Sequence, residues 1–139
     1  LIGSKRAAAI NNRDKLLVIG DIDLKTAKNL AGEYSCVPTD QIKDIVHNDQ
    51  IDAVVISVIN KYAAQIAIDM LHSGKHILCE KPLGRTAKES KEVLSAAEDS
   101  GKIINSFINM FKVFTRCCKH FLISAKFLIE MICGVKSML

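Results

Sequence analysis

The sequence has no tryptophan, only two prolines and seven glycines, and aromatic residues at 5% of its 139 positions. So few aromatics count against a lectin-like or base-stacking surface. The low proline and glycine content, beside 49% apolar and 24% charged residues, excludes a disordered, collagenous or low-complexity chain. No run of eighteen apolar residues occurs and no basic-then-apolar leader opens the chain, so neither a membrane span nor a secretory signal is expected. The greasy stretch 103–139 is broken by Lys112, Arg116, Lys119, Lys126 and Glu130. The five cysteines (Cys36, Cys79, Cys117, Cys118 and Cys133) are odd in number and contain no C-x-x-C pair. They imply no disulfide framework and no metal site, and adjacent Cys117–Cys118 is no metal signature by itself. A reducing compartment and a soluble cytoplasmic protein are expected.

Charge is unevenly placed. Residues 1–101 carry 13 basic and 14 acidic side chains, whereas residues 102–139 carry 6 and 1. The basic residues of the second stretch are spaced singly and form no compact patch. A solvated surface therefore accounts for them better than a nucleic-acid or anionic-membrane contact, and neither partner is expected.

The pattern along the chain alternates. Residues 4–12, with Ala7, Ala8, Ala9 and Ile10, read as a helix starting just after Gly3. Leu16-Leu17-Val18-Ile19 is a buried strand ending in Gly20-Asp21, and Asp23 is placed to cap the helix that follows. That helix carries Ala27, Leu30 and Ala31 on its apolar stripe and has Gly32 near its end. Cys36-Val37 is a short strand closed by Pro38, and Asp40 is placed to cap a helix with Ile42, Ile45 and Val46 inward. Residues 53–58 (AVVISV) give the strongest strand signal, β-branched and continuous. A helix over 62–73, with Ile66, Ala67, Met70 and Leu71 inward, ends at Gly74. His76-Ile77-Leu78-Cys79 is a strand that stops sharply at Glu80-Lys81-Pro82. Thr86 with Glu89 three residues later fits a capping box for a helix to Ser100, closed by Gly101, and 103–107 is a last strand. The alternation βαβαβαβαβ with short connections means an α/β fold, a parallel sheet with helices on both faces.

The run Gly74-Lys75-His76-Ile77-Leu78-Cys79-Glu80-Lys81-Pro82-Leu83 is the most specific segment. Together with Ile51-Asp52-Ala53-Val54-Val55-Ile56, Ala87, Glu89 and Ala96-Ala97, it resembles the glucose–fructose oxidoreductase / inositol dehydrogenase / rhizopine catabolism (Gfo/Idh/MocA) oxidoreductases in their N-terminal nucleotide-binding domain. The resemblance covers residues 1–110 well and 111–130 loosely. It implies a Rossmann-like, doubly wound parallel sheet binding NAD, with NADP also possible. The parent activity would be hydride transfer between the nicotinamide and a sugar, polyol or related substrate, and the parent would be a homo-oligomer. Residues 1–110 are then a partial NAD(P)-binding domain, and 111–139 a diverged helical tail or the start of a linker toward a substrate domain.

The resemblance also assigns roles. Gly3 matches the third glycine of G-x-G-x-x-G, where it lets helix and sheet pack closely, and Ser4 with the first-turn amides would meet the pyrophosphate. The first two glycines and the first strand fall before residue 1. The expectation is thus a domain lacking most of strand 1, which belongs between the strands ending at Asp21 and beginning at Ala53, and lacking the usual C-terminal α+β domain. Asp21, closing its strand, would accept hydrogen bonds from the adenosine ribose hydroxyls and repel a 2′-phosphate; Asp23 competes for that role or for the cap. Asn60 would reach the cofactor. Where the family reads Thr-Pro-Asn and then a His, this chain has Val58-Ile59-Asn60 and Ala63. Lys81 would line the nicotinamide and substrate, handling the hydroxyl proton or acting by charge, and Glu80 would contact the cofactor side. His47, His72, His76 and His120 fall outside the catalytic pattern. The rival expectation is a non-catalytic nucleotide-binding or protein-interaction remnant, and turnover by this chain alone is expected to be weak or nil.

Overall fold

The computed structural model describes residues 2–10 and 14–106. The cysteines Cys117, Cys118 and Cys133, His120, and the expected tail over 111–139 lie outside the described residues. Two compact units are distinguished: one spans Leu17–Ile108, and the described residues of the other are 2–10 and 14–16.

The smaller unit contributes α1 (Ile2–Ala9). It begins one residue before Gly3 rather than after it, and Ile10 closes its end by donating N–H to the Ala7 carbonyl at 3.2 Å.

In the larger unit the elements run β1 (Val18–Gly20), α2 (Leu24–Tyr34), β2 (Val37–Thr39), α3 (Ile42–Val46), β3 (Ala53–Ile56), α4 (Asn60–His72), β4 (His76–Cys79), α5 (Ala87–Ser100) and β5 (Ile104–Ser106). All strand pairs are parallel. They form two separate sheets, β1-β2 and β3-β4-β5. The fold is the expected Rossmann-like α/β alternation, with the two sheets meeting in sequence order between β2 and β3.

Local chemistry sets the boundaries. Asp23 caps α2, its carboxylate accepting the Lys25 N–H at 3.1 Å and the Thr26 hydroxyl at 2.7 Å. Helix α2 runs through Gly32 and stops at Ser35, whose φ of 53° is left-handed. Pro38 lies inside β2 instead of closing it. This is tolerated because β2 is an outer strand whose far edge needs no donor. Asp40 does not cap α3: Gln41 holds that position, and its N–H is taken by the Thr39 hydroxyl at 3.0 Å. Strand β3 stops at Ile56, and α4 starts at Asn60, two residues before the pattern suggested. Helix α5 is capped by Thr86, which accepts the Glu89 N–H at 3.1 Å, and ends at Gly101 with φ of 64°. The reciprocal half of the capping box is not made. Glu89 instead turns to Arg85, accepting its backbone N–H and its guanidinium, each at 2.6 Å. Gly84 allows this turn to close, because a Cβ there would sit 2.7 Å from the Ser90 nitrogen.

The core lies between β3, β4, α4 and α5: Ile56, Ala63, Ala64, Ala67, Met70, Leu71, Ile77, Cys79, Val93 and Ala96 are all buried. Three alanines on one face of α4 let that helix lie close to the sheet, and Val93 and Ala96 bring α5 against it.

Candidate functional site

In a parallel sheet with crossover helices, strands deliver their last residues, and the first turns of the next helices, to one edge. Four of the six sequence-assigned site residues fall at such positions in the larger unit. Asp21 follows the last residue of β1, Asn60 opens α4 after β3, and Glu80-Lys81 follow β4. Gly3 and Ser4 fall in the first turn of α1, in the other unit, and Gly3 is helical rather than the residue before the helix.

Asp21 is exposed, and its Oδ1 accepts the Asp23 N–H at 2.9 Å, an Asx turn that fixes the carboxylate at the strand end. Asp23 is committed to the cap, and the Thr26 hydroxyl followed by the Lys25 N–H hold its carboxyl below the usual range. No other described residue shares the Asp21 carboxylate. Beside it Ile22 is 91% exposed, and past β3 Ile59 is 74% exposed. Asn60 is exposed and is the first residue of α4, not a strand-end residue. Its preceding Ile59 caps the helix by backbone conformation alone.

The Glu80 N–H donates to the Ile56 carbonyl at 2.8 Å, tying the turn after β4 to the end of β3. Lys81 is exposed, and the Lys81–Pro82 peptide bond is cis. Two hydroxyls at this edge, Ser57 Oγ beyond β3 and Ser106 Oγ at the end of β5, are buried without a hydrogen-bond partner. Buried polar groups are ordinarily satisfied, so these two mark an edge with hydrogen-bonding capacity in reserve. Cys79 in β4 is no nucleophile: burial, then the Glu80 charge, pushes its thiol up to about 11.

Ala63, where the resemblance implied a histidine, is buried in the core at 3% exposure. The histidines that are described lie elsewhere. His47 and His72 line an open groove of about 450 Å³ between the C-terminal ends of α3 and α4, at the opposite end of α4 from Asn60. His76 lies within β4, and its Nδ1 accepts the Ile103 N–H at 3.1 Å.

One residue of the specific sequence block does something its residue type did not announce. Lys75 is 2% exposed; its Nζ donates to the carbonyls of Val46 at 3.0 Å and Ser73 at 3.5 Å. It pins the end of α3 to the turn before β4. Among the described residues no group of three or more His, Cys, Asp or Glu is arranged to hold a metal ion, and no helix is long and apolar enough to cross a membrane.

Comparison with known proteins agrees with this architecture. Residues 1–107 match the profile of an oxidoreductase family with an NAD-binding Rossmann fold (GFO_IDH_MocA). The chain is 35% identical over 107 residues to inositol 2-dehydrogenase 4 of Saccharopolyspora erythraea, covering 73% of this chain and 31% of that protein. It is similar to the structure of a levoglucosan dehydrogenase in complex with NADH and levoglucosan, at 33% identity and TM-score 0.59, covering 63% of this chain and 24% of the other. It shares its fold with the Synechocystis biliverdin reductase bound to biliverdin and NADP+, at 24% identity and TM-score 0.72, covering 76% and 34%. The chain spans between 16% and 32% of the length of the first curated relatives it matches.

Proposed function

This chain belongs to the Gfo/Idh/MocA oxidoreductase family, as an NAD(P)-binding Rossmann-fold domain, and from that premise we propose that it serves a dehydrogenase or reductase of sugars, polyols or related small hydroxyl and carbonyl compounds. The observation that carries the reading is Asp21: an exposed carboxylate, fixed by its Asx turn at the end of β1 and shared with no other described residue. A carboxylate there accepts two ribose hydroxyls and repels a 2′-phosphate, so NAD is preferred over NADP. Ile22 and Ile59 offer apolar surface, and Ser57 and Ser106 hydrogen-bonding capacity, at the same strand ends. These residue types fit a dinucleotide. Asn60 contacts the cofactor from the first turn of α4, and Glu80 lies on the cofactor side of the β4 turn.

The bound dinucleotide supplies or accepts the hydride. Lys81 supplies what the chain itself adds at the reacting end. Its ammonium donates a hydrogen bond to the substrate oxygen, orienting it and favouring the negative charge that develops as a carbonyl is reduced. A sugar or polyol substrate is suggested by the inositol and levoglucosan dehydrogenases among the relatives.

A second reading, a binding domain that has lost turnover, is favoured by one specific feature. Val58 and Ile59 have no polar group to offer at the end of β3, and Ala63 is buried in the core rather than presenting a polar side chain. Calorimetry with NAD and NADP on the chain and on Asp21→Ala tests the leading reading. The substitution is expected to weaken NAD about tenfold or more, the loss of a charge-assisted hydrogen bond, and NADP much less. Equal losses for both would overturn the Asp21 assignment. Binding without turnover across a panel of polyols and sugars would favour the second reading.

A further inference from the structure

We propose that Glu89, acting through Arg85, is a positioning residue for Lys81: it holds the turn after β4 so that the Lys81 ammonium is set at the nicotinamide end of the site. The role rests on the dinucleotide reading of that site. Lys81 is exposed, and the described residues give its ammonium no hydrogen bond or ion pair. Its direction is therefore set by the backbone on either side of it.

On one side the Glu80 N–H is tied to the Ile56 carbonyl at 2.8 Å. On the other side the chain is pressed onto the first turn of α5. Leu83 packs against the core that includes Val93 and Ala96. The Gly84 backbone lies so close to that turn that a Cβ there would meet the Ser90 nitrogen at 2.7 Å and the Glu89 Cβ at 2.8 Å. Glu89 then holds Arg85 with both carboxylate oxygens. Its Oε2 accepts the backbone N–H at 2.6 Å, and its Oε1 accepts Nη2 at 2.6 Å and Nε at 3.1 Å. Lys81 stands between these two anchors, one residue after Glu80 and four before Arg85.

The carboxylate serves the turn rather than the helix. A capping box would bring Glu89 back to the N–H of Thr86, the residue that caps α5. Glu89 reaches one residue further, to an N–H that belongs to the turn. An exposed ion pair alone adds little to stability. Two oxygens shared between a backbone N–H and a planar guanidinium, however, fix direction as well as charge. The guanidinium first, and then the Arg85 N–H, hold the Glu89 carboxyl below its ordinary value, so the clamp stays charged across the neutral range.

The test measures the affinity of the full chain for NADH and for ADP-ribose by calorimetry, since ADP-ribose keeps the adenosine ribose that Asp21 addresses and has no nicotinamide. Lys81→Met is expected to weaken NADH about tenfold, the loss of one charge-assisted hydrogen bond, and to leave ADP-ribose within about twofold. Glu89→Ala should weaken NADH about fivefold and again spare ADP-ribose. Glu89→Gln should lose less, because its amide oxygen still accepts the Arg85 N–H. In the Lys81→Met background Glu89→Ala should cost nothing more, since it acts through the ammonium already removed. Should Glu89→Ala not fold, Arg85→Leu, which leaves Glu89 and the backbone N–H in place, should show the same loss confined to NADH. Equal losses for NADH and ADP-ribose would mark a merely structural role and overturn the proposal, as would additive losses in the double variant or no loss of NADH at all. If Lys81→Met leaves NADH unchanged while ADP-ribose binds, the Lys81 assignment fails and the proposal with it, whereas the dinucleotide reading stands. If the unsubstituted chain binds neither probe, the dinucleotide reading itself fails and the proposal falls with it.

Discussion

Two pairs of side chains show how burial and partners sort residues of similar type. Asp21 and Asp23 are two positions apart, yet one caps a helix and the other presents its carboxylate at a strand end. Lys75 and Lys81 lie six residues apart; the first is buried against two carbonyls and the second is exposed. A lysine in a turn reads from sequence as solvated, and only the path of α3 brings the Val46 carbonyl within its reach. His76 carries a prediction of its own. Burial first, then the Lys102 charge, lowers its pKa from the ordinary 6.5, with Asp52 opposing. Its Nδ1 accepts the Ile103 N–H and must be unprotonated to do so. A histidine with a lowered folded pKa binds its proton more readily in the unfolded chain. Its contribution is therefore intact above pH 6.5 and is lost as pH falls below that value and through the folded pKa. Urea unfolding between pH 8 and 5 is expected to show a loss on the acid side that is reduced in His76→Gln. An unchanged pH slope in that variant would remove His76 as the cause.

At the level of elements, caps and close approaches set boundaries that hydrophobic periodicity leaves loose. Periodicity places α5 well because its signals agree: Thr86 and Gly101 bracket a stripe that buries Val93 and Ala96. It misplaces the start of α4, since Asn60 and Lys61 lie outside the apolar stripe and enter the helix only because the backbone turns at Ile59. It misreads the end of β2 because proline stops a strand only when its N–H is needed, and an outer strand does not need it. The Thr86 cap yields a direct expectation: Thr86→Ala should cost about 1 kcal/mol of stability, measured as a lower urea midpoint at unchanged m-value. The loss should be smaller in Thr86→Asn, which can accept the same Glu89 N–H.

For the whole of the larger unit, stability should be unevenly distributed. Strand β4 lies between two partners and buries Ile77, Leu78 and Cys79, while β1 has one described partner and no fully buried residue. Native-state amide exchange is expected to be slowest, among the described strands, at residues 77–79, and faster at residues 18–20. Comparable protection of both would show that β1 and β3 are coupled as firmly as β3 and β4.

The sequence alone determined the alternation of strands and helices, because apolar runs, helical stripes and turn residues are local and mutually consistent across Leu17–Ile108. It also determined which residues reach the strand ends, since Asp21, Glu80 and Lys81 are placed by chain order once the strands are known. Tertiary structure alone decided which of two neighbouring acids is committed to a cap, which lysine is buried, and which strand edges pair. Those outcomes depend on groups far apart in the chain: Val46 with Lys75, Ile56 with Glu80, and Leu17 with Val37. A strand's own residues set its appetite for neighbours, but pairing needs a second backbone at ladder distance on each edge.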